Sequence, residues 1–329
     1  MTTLVTGGTG FIGAHIVRAL LDRGEDVRCL VRPSSRLTNL EGLDVEIVRG
    51  DLCDRESIRR AVTGAETVYH CAADYRLYVR NSAEIYATNV EGTRNVLRES
   101  ADAGARKIVY TSSVGALGRC RDGHPADESV PAGEAEMIGH YKRSKFRAER
   151  VAEQFAAGGS PVVITNPSTP VGELDVKPTP TGKIIVEFLR GRMPAYVDTG
   201  MNLIDVRDVA AGHLLAAARG RTGERYILGN RNLTLAEILA MLARLTGRPR
   251  PRVRLPHWIA MTAAIGNEAF CRITGGDPSI PLEGVRMARH RMYFDSSKAV
   301  SELGLPQTPV EEALGRAVRW FREHGYASG

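Results

Sequence analysis

Tyr141 and Lys145 lie four residues apart in the run YKRSK. At that spacing a phenol and an ammonium share one face of a helix, so the cation can stabilise a phenolate that gives and takes a proton. Far upstream, TGGTGFIG at 6–13 places Gly7, Gly10 and Gly13 between a strand pattern and a helix pattern. The first glycine allows a sharp turn, the second lets backbone approach a pyrophosphate, and the third lets the helix pack close to the strand. Proton transfer beside a dinucleotide site is redox chemistry. A free phenol titrates near pH ~10, so acting near neutrality means lowering it by roughly three units, on the order of 4 kcal/mol. One ammonium and the positive ring of an oxidised nicotinamide can supply this in a partly desolvated cleft, and neither suffices in bulk water.

Thr111, Ser112 and Ser113 close a strand pattern upstream of Tyr141, where a hydroxyl can bind a developing alkoxide. Around the second strand's end the chain reads Val31, Arg32, Pro33, Ser34, Ser35, Arg36, without the carboxylate that would take ribose hydroxyls. Arg32 suits a 2′-phosphate, which favours NADP(H) over NAD(H); the alternative is that it only stacks on adenine. Asp51, before Leu52 in RGDL, can accept from the adenine amino group or cap the helix that begins near Arg55. In HCAAD, the small Ala72 and Ala73 permit close backbone contact with a cofactor, while His70 reads as a strand-end histidine.

These groups need elements to hold them. Short β-branched runs at 4–6, 27–31, 45–48, 67–71, 107–111 and 162–165 alternate with helical patterns at 11–23, 55–62, 83–101 and 141–156. That alternation predicts an α/β fold, a Rossmann-type doubly wound parallel sheet. Residues 1–166 form the dinucleotide domain, joined by about 200–230, where a strand at 203–204, a helix at 206–218 and a strand at 225–228 are expected. Residues 167–199 and 231–329 form a smaller, mainly helical lobe over the substrate end.

Composition is that of a soluble globular protein, 43% hydrophobic and 25% charged. No apolar stretch is long enough to span a bilayer, and the N-terminus leaves no room for a signal peptide, so a cytoplasmic location is expected. Five scattered cysteines read as reduced and mostly buried, with Cys71 ending a buried strand, and no metal site is expected. The net charge of +6 admits anionic partners, but the arginines at 244, 248, 250, 252 and 254 lack interleaved aromatics, so nucleic acid is not expected. Their plain reading is a Pro-broken connector. The apolar helical segment that follows, with Trp258, Ile265 and Phe270, reads as the buried face of the C-terminal lobe. A sharper reading is a basic and apolar edge resting on the inner face of an anionic membrane, where a lipid substrate is met.

The motifs TGGTGFIG, GDL, HCAAD, TNVEGT, YTSSV, YKRSK, NPSTPVG and LIDVRDVAAGH together resemble the extended short-chain dehydrogenase/reductases over essentially the whole chain. AADYRLY and RGRMPAYVDTG resemble more narrowly the hopanoid-associated sugar epimerases and dihydroflavonol-4-reductase-like proteins. The resemblance implies a catalytic set of Ser113, Tyr141 and Lys145, with Asn89 supporting the lysine. It implies a cofactor lining of Gly7, Gly10, Phe11, Ile12, Gly13 and Arg32, then Asp51, Leu52, Ala72, Ala73, Thr111 and Pro167, with Tyr141 and Lys145 also in contact. It implies a homodimer built on the helices at 83–101 and 141–156. Nucleotide-sugar epimerases of the family carry an Arg where Met201, Asn202 and Leu203 stand and an aromatic stretch where Ser168, Thr169 and Pro170 stand. The departure favours NADPH-dependent reduction of a lipophilic, hopanoid- or terpenoid-like carbonyl, or its reverse. The alternatives are a sugar epimerase or dehydratase and, third, a dinucleotide-sensing regulator, which retention of Tyr141 and Lys145 argues against.

Overall fold

A computed structural model describes residues 2–120, 123–279 and 281–327. In chain order the strands are β1 (Thr2–Thr6), β2 (Asp26–Val31), β3 (Glu46–Arg49), β4 (Ala65–His70), β5 (Lys107–Thr111), β6 (Val162–Pro167), β7 (Thr169–Val171), β8 (Ala195–Val197), β9 (Gly200–Asp205), β10 (Arg225–Leu228), β11 (Arg231–Thr234) and β12 (Val253–Leu255). Seven of them form one sheet in the order β10-β6-β5-β4-β1-β2-β3, with every neighbouring pair parallel. The chain leaves β1 toward β2 and later returns to its other side as β4. Such a reversal opens a crevice at the carboxyl ends of the strands, where doubly wound sheets bind ligands.

Both sheet faces are covered, which is why the strands read as nearly continuous apolar runs. Val5, Cys29, Tyr69, Val109 and Val163 pack under the helices Phe11–Leu21 and Val206–Arg219. Their neighbours Leu4, Leu30, Val68, Ile108 and Ile164 point the other way, under Arg55–Val62, Gly92–Asp102 and Gly139–Ala157. The period of two thus divides one sequence between two cores.

Strand β9 differs from expectation. It starts at Gly200 and joins a separate three-stranded sheet, in the order β11-β9-β7, instead of the main sheet. Around that small sheet the helices Pro180–Leu189, Leu235–Thr246 and Val310–Glu323 build a second core centred on Ile185, Leu239, Leu314 and Phe321. The helix expected over 83–101 is interrupted: Ser82–Tyr86 and Gly92–Asp102 are α-helical, and the wider π turn Ala87–Glu91 lies between them. Of the cysteines, all free, Cys29 and Cys271 are buried and Cys53 is exposed; β4 stops at His70, one residue before Cys71.

The apolar segment after the arginine run forms the helix His257–Thr274, and here the expectation of a buried face is overturned. Only Ala264 and Cys271 are buried. The helix packs at the rim of the lobe against the short helix Leu282–Ala288, so most of its circumference has no protein to cover it.

Candidate active site

Thr6 ends β1, and Gly7 turns the chain with φ +77°. A Cβ there would sit 2.7 Å from the Ala72 amide nitrogen, so the glycine admits the β4 end beside it. The amide of Gly10 donates to the Gly7 carbonyl at 2.9 Å, and Gly10 starts the helix Phe11–Leu21 with no side-chain cap. A Cβ on Gly10 would meet only the Gly7 oxygen, at 3.2 Å, and otherwise point into open space. The amides of Phe11 and Ile12 have no intrahelical acceptor and carry the positive end of the helix dipole. A turn of this geometry can receive an anionic group such as a phosphate. Asn39 braces its outer side, its Nδ2 donating to Thr9 O at 3.2 Å and to Leu174 O at 3.1 Å; Leu174 is the one described non-glycine residue with positive φ, +66°.

Arg32 follows β2 and is exposed, as is Arg36. The Arg32 carbonyl accepts from the Ser35 amide at 3.0 Å and from Arg49 Nη1 at 3.2 Å, which draws a third guanidinium to this edge. Asp51 does not cap the following helix. Its Oδ1 accepts from the Cys53 amide at 2.8 Å, and Asp54 takes the capping bond from Glu56 N at 3.1 Å, because Asp54 is the residue immediately before the first helical turn. Leu52 is buried beneath Gly92.

Tyr141 lies in the first turn of Gly139–Ala157, with the Ser113 hydroxyl near its phenol. Ser113 follows the end of β5 and caps a single helical turn, accepting from the Gly115 amide at 3.0 Å. Burial pushes the Tyr141 phenol up, opposed by the neighbouring Ser113 hydroxyl, so the chain alone keeps this hydroxyl protonated.

Spacing placed Lys145 on the same face as Tyr141, but tertiary contacts decide its partners. Its Nζ donates to the Thr111 carbonyl at 2.7 Å and the Tyr110 hydroxyl at 3.1 Å. Burial pushes the ammonium down to about 8, opposed by the fully buried Glu149 one turn further on. Near Tyr110 a buried row of contacts runs from the Thr93 hydroxyl to His70 Nε2 at 3.0 Å and from His70 Nδ1 to Thr6 Oγ1 at 2.7 Å. Burial and the nearby Lys145 charge hold His70 at about 3, so it is neutral. His70 thereby ties Thr93 to the end of the glycine-turn strand, a connection for which sequence spacing carries no signal.

The π turn widens the helix where Asn89 sits. The Asn89 side chain accepts from the Asp74 amide at 2.7 Å and donates to the Asp74 carbonyl at 2.8 Å and to Ser144 Oγ at 2.9 Å. It therefore fastens the loop after β4 to the helix of Tyr141, while the lysine finds its own partners on β5. Ala72 and Ala73 begin that loop, and Thr111 and Pro167 end β5 and β6, so all four stand at the carboxyl edge of the sheet.

At the start of the helix Gly139–Ala157 lies a cavity of about 520 Å³, bordered by Leu77, Val79 and His140 and by Glu268, Arg272 and Glu283; Tyr141 itself is not in its lining. Glu283 Oε1 accepts from the His140 amide at 3.0 Å, and burial pushes its carboxyl up. Gly139, at φ +79°, leaves no room for a Cβ beside that carboxylate. Glu283 fixes the entry of the helix that carries Tyr141 from 143 residues away, out of reach of any motif. The mixed lining suits a ligand with both apolar and polar parts.

Residues 3–229 match the model of the NAD dependent epimerase/dehydratase family. A protein of Synechocystis sp., provisionally assigned as a dihydroflavonol 4-reductase, is 51% identical over 98% of this chain and 95% of its own. Sterol demethylase protein B of Methylococcus capsulatus is 39% identical over 99% of both. Among solved structures, that of gox2253 superposes with a TM-score of 0.89 at 44% identity, covering 99% of each chain.

Proposed function

Because this chain belongs to the NAD dependent epimerase/dehydratase family of extended short-chain dehydrogenase/reductases, we propose that it reduces a carbonyl on a lipophilic small molecule with NADPH. The same groups serve the reverse oxidation. The observation that carries this reading is the placement of Tyr141 and Lys145 in the first turns of one helix, with Lys145 Nζ held on the Thr111 carbonyl at 2.7 Å and Ser113 just past the end of β5, at the same sheet edge as the glycine turn.

The residues present fit a dinucleotide. The Phe11, Ile12 and Gly13 amides, reached across Gly7 and Gly10, take the pyrophosphate, and Arg32 takes a 2′-phosphate. Asp51 and Leu52 border the adenine end; Ala72, Ala73, Thr111 and Pro167 border the nicotinamide end. When bound, the dinucleotide supplies the hydride. Ser113 orients the substrate oxygen, Tyr141 gives its Oη proton to that oxygen, and the Lys145 charge lowers the cost of the phenolate left behind. Asn89 holds the β4 loop and the helix of Tyr141 in register.

The family's epimerase name supports a second reading, in which the cofactor is retained and the same residues work in both directions. Denaturing fresh protein and identifying released dinucleotide separates the two. The reductase reading expects empty protein that binds NADPH about tenfold or more tighter than NADH, and Arg32→Glu reversing that order. Stoichiometric, non-exchanging NAD would overturn it in favour of the epimerase.

The pH dependence has a defined sign. Lys145 is protonated below about 8 and loses its charge as pH rises through that value. Reductive kcat/KM is therefore expected to fall on the alkaline side of about 8, and Lys145→Met to abolish that limb. An unchanged limb in the variant would remove the lysine from the mechanism. A cytoplasmic location and a homodimer built on the helices Gly92–Asp102 and Gly139–Ala157, as the family resemblance implies, complete the proposal.

A further inference from the structure

A helix on the surface of a globular protein ordinarily turns its apolar stripe inward. His257–Thr274 does the reverse: Trp258 keeps 67% of its area exposed, Ile265 51%, Phe270 64% and Ile273 86%. Positions 258, 262, 265, 269 and 273 recur in steps of three and four, so Thr262 and Ala269 complete a single stripe along the helix. No acid interrupts it. The helix's one carboxylate, Glu268, has a side chain only 12% exposed, pairs with Arg272 at 2.7 Å and borders the cavity. A contiguous apolar surface of this kind marks an interaction site.

The charge beside the stripe selects the partner. From Leu245 to Asn267 there is no Asp or Glu, and four arginines fall at 248, 250, 252 and 254. Arg250 and Arg252 are exposed, and neither has an ion pair among the described residues. Arg254 is exposed too, though paired with Asp198 at 2.5 Å. A one-signed basic run leading directly into an apolar stripe headed by Trp258 matches a layer of lipid phosphates over hydrocarbon. No helix among the described residues is long and apolar enough to cross a membrane, so the element lies on the surface.

We infer that His257–Thr274 and the preceding arginines dock the protein on an anionic lipid bilayer. Glu268 and Arg272, on the flank of the helix next to the stripe, border the cavity that His140 also lines, so docking brings that cavity to the bilayer. The surface goes beyond the redox assignment and does not depend on it.

The test is flotation of the full-length protein with vesicles of phosphatidylcholine alone or mixed with phosphatidylglycerol. About tenfold more protein should float with the anionic vesicles, with loss of that gain at high salt and a blue shift of Trp258 emission. Ile265→Ser/Phe270→Ser/Ile273→Ser and Arg250→Glu/Arg252→Glu should each abolish flotation while NADPH binding and circular dichroism stay as in the parent. Absence of flotation on anionic vesicles, equal flotation on neutral ones, or flotation that survives both variants would overturn the inference. So would a dimer that the triple serine variant dissociates, which would assign the stripe to a second copy of the chain.

Discussion

Replacing Tyr141 by Phe is expected to slow carbonyl reduction about a thousandfold and to leave NADPH binding intact. The substitution removes one oxygen and keeps the ring in the first turn of Gly139–Ala157, so the fold has no reason to change. What is lost is the proton donor. Burial keeps the phenol in its protonated form, and the neighbouring Ser113 is a far weaker acid that cannot replace it. Ser113→Ala should cost less, about a hundredfold, because it removes orientation of the oxygen and leaves the acid in place. Single-turnover rates with saturating NADPH, beside a fluorescence titration of the cofactor, separate the two effects. If Tyr141→Phe turned over at the parent rate, the proposed acid would be wrong, whatever the cofactor result.

Gly13→Ala should be the most damaging substitution in the cofactor half. A Cβ at Gly13 would fall on the Gly7 carbonyl oxygen, a backbone atom that cannot swing aside. The helix cannot tilt away cheaply, because Ile16, Val17 and Leu20 are fully buried against the sheet and Val206–Arg219. Overpacking of this kind costs about 3 kcal/mol of stability. Moving the first-turn amides off the pyrophosphate should weaken NADPH by at least about a hundredfold, equivalent to ~2.7 kcal/mol. Gly24→Ala is the matched control: its φ of +73° makes the alanine strained, but nothing lies within 4 Å of the new methyl. It should lose about 1 kcal/mol and leave NADPH affinity unchanged. Denaturant unfolding and cofactor titration on the two variants read both quantities; equal losses of affinity would show that general destabilisation, and not the cradle, governs binding.

The exposed helix carries a consequence for any assay. A protein that loads from a bilayer would show low apparent activity toward substrates dispersed in detergent, and vesicle-borne substrate should be tried beside soluble aldehydes and ketones.

Sequence by itself determined the parts whose geometry is local. The glycines at 7, 10 and 13 are spaced by what one turn and one helix start require, and the alternation of short strands with helices dictates a parallel doubly wound sheet. Tyr141 and Lys145 share a helix face by their spacing alone. Tertiary structure decided the rest. Lys145 is held by Tyr110 and Thr111, more than thirty residues away. Asn89, in a π turn, reaches Asp74 and Ser144, and Glu283 grips the amide of His140 from 143 residues away. The helix His257–Thr274 has the composition of a buried element and lies open. Periodicity reports that a helix has an apolar side but not whether another element arrives to cover it. Desolvation, which holds Tyr141 protonated and Lys145 at about 8, belongs to the assembled crevice and to no stretch of chain.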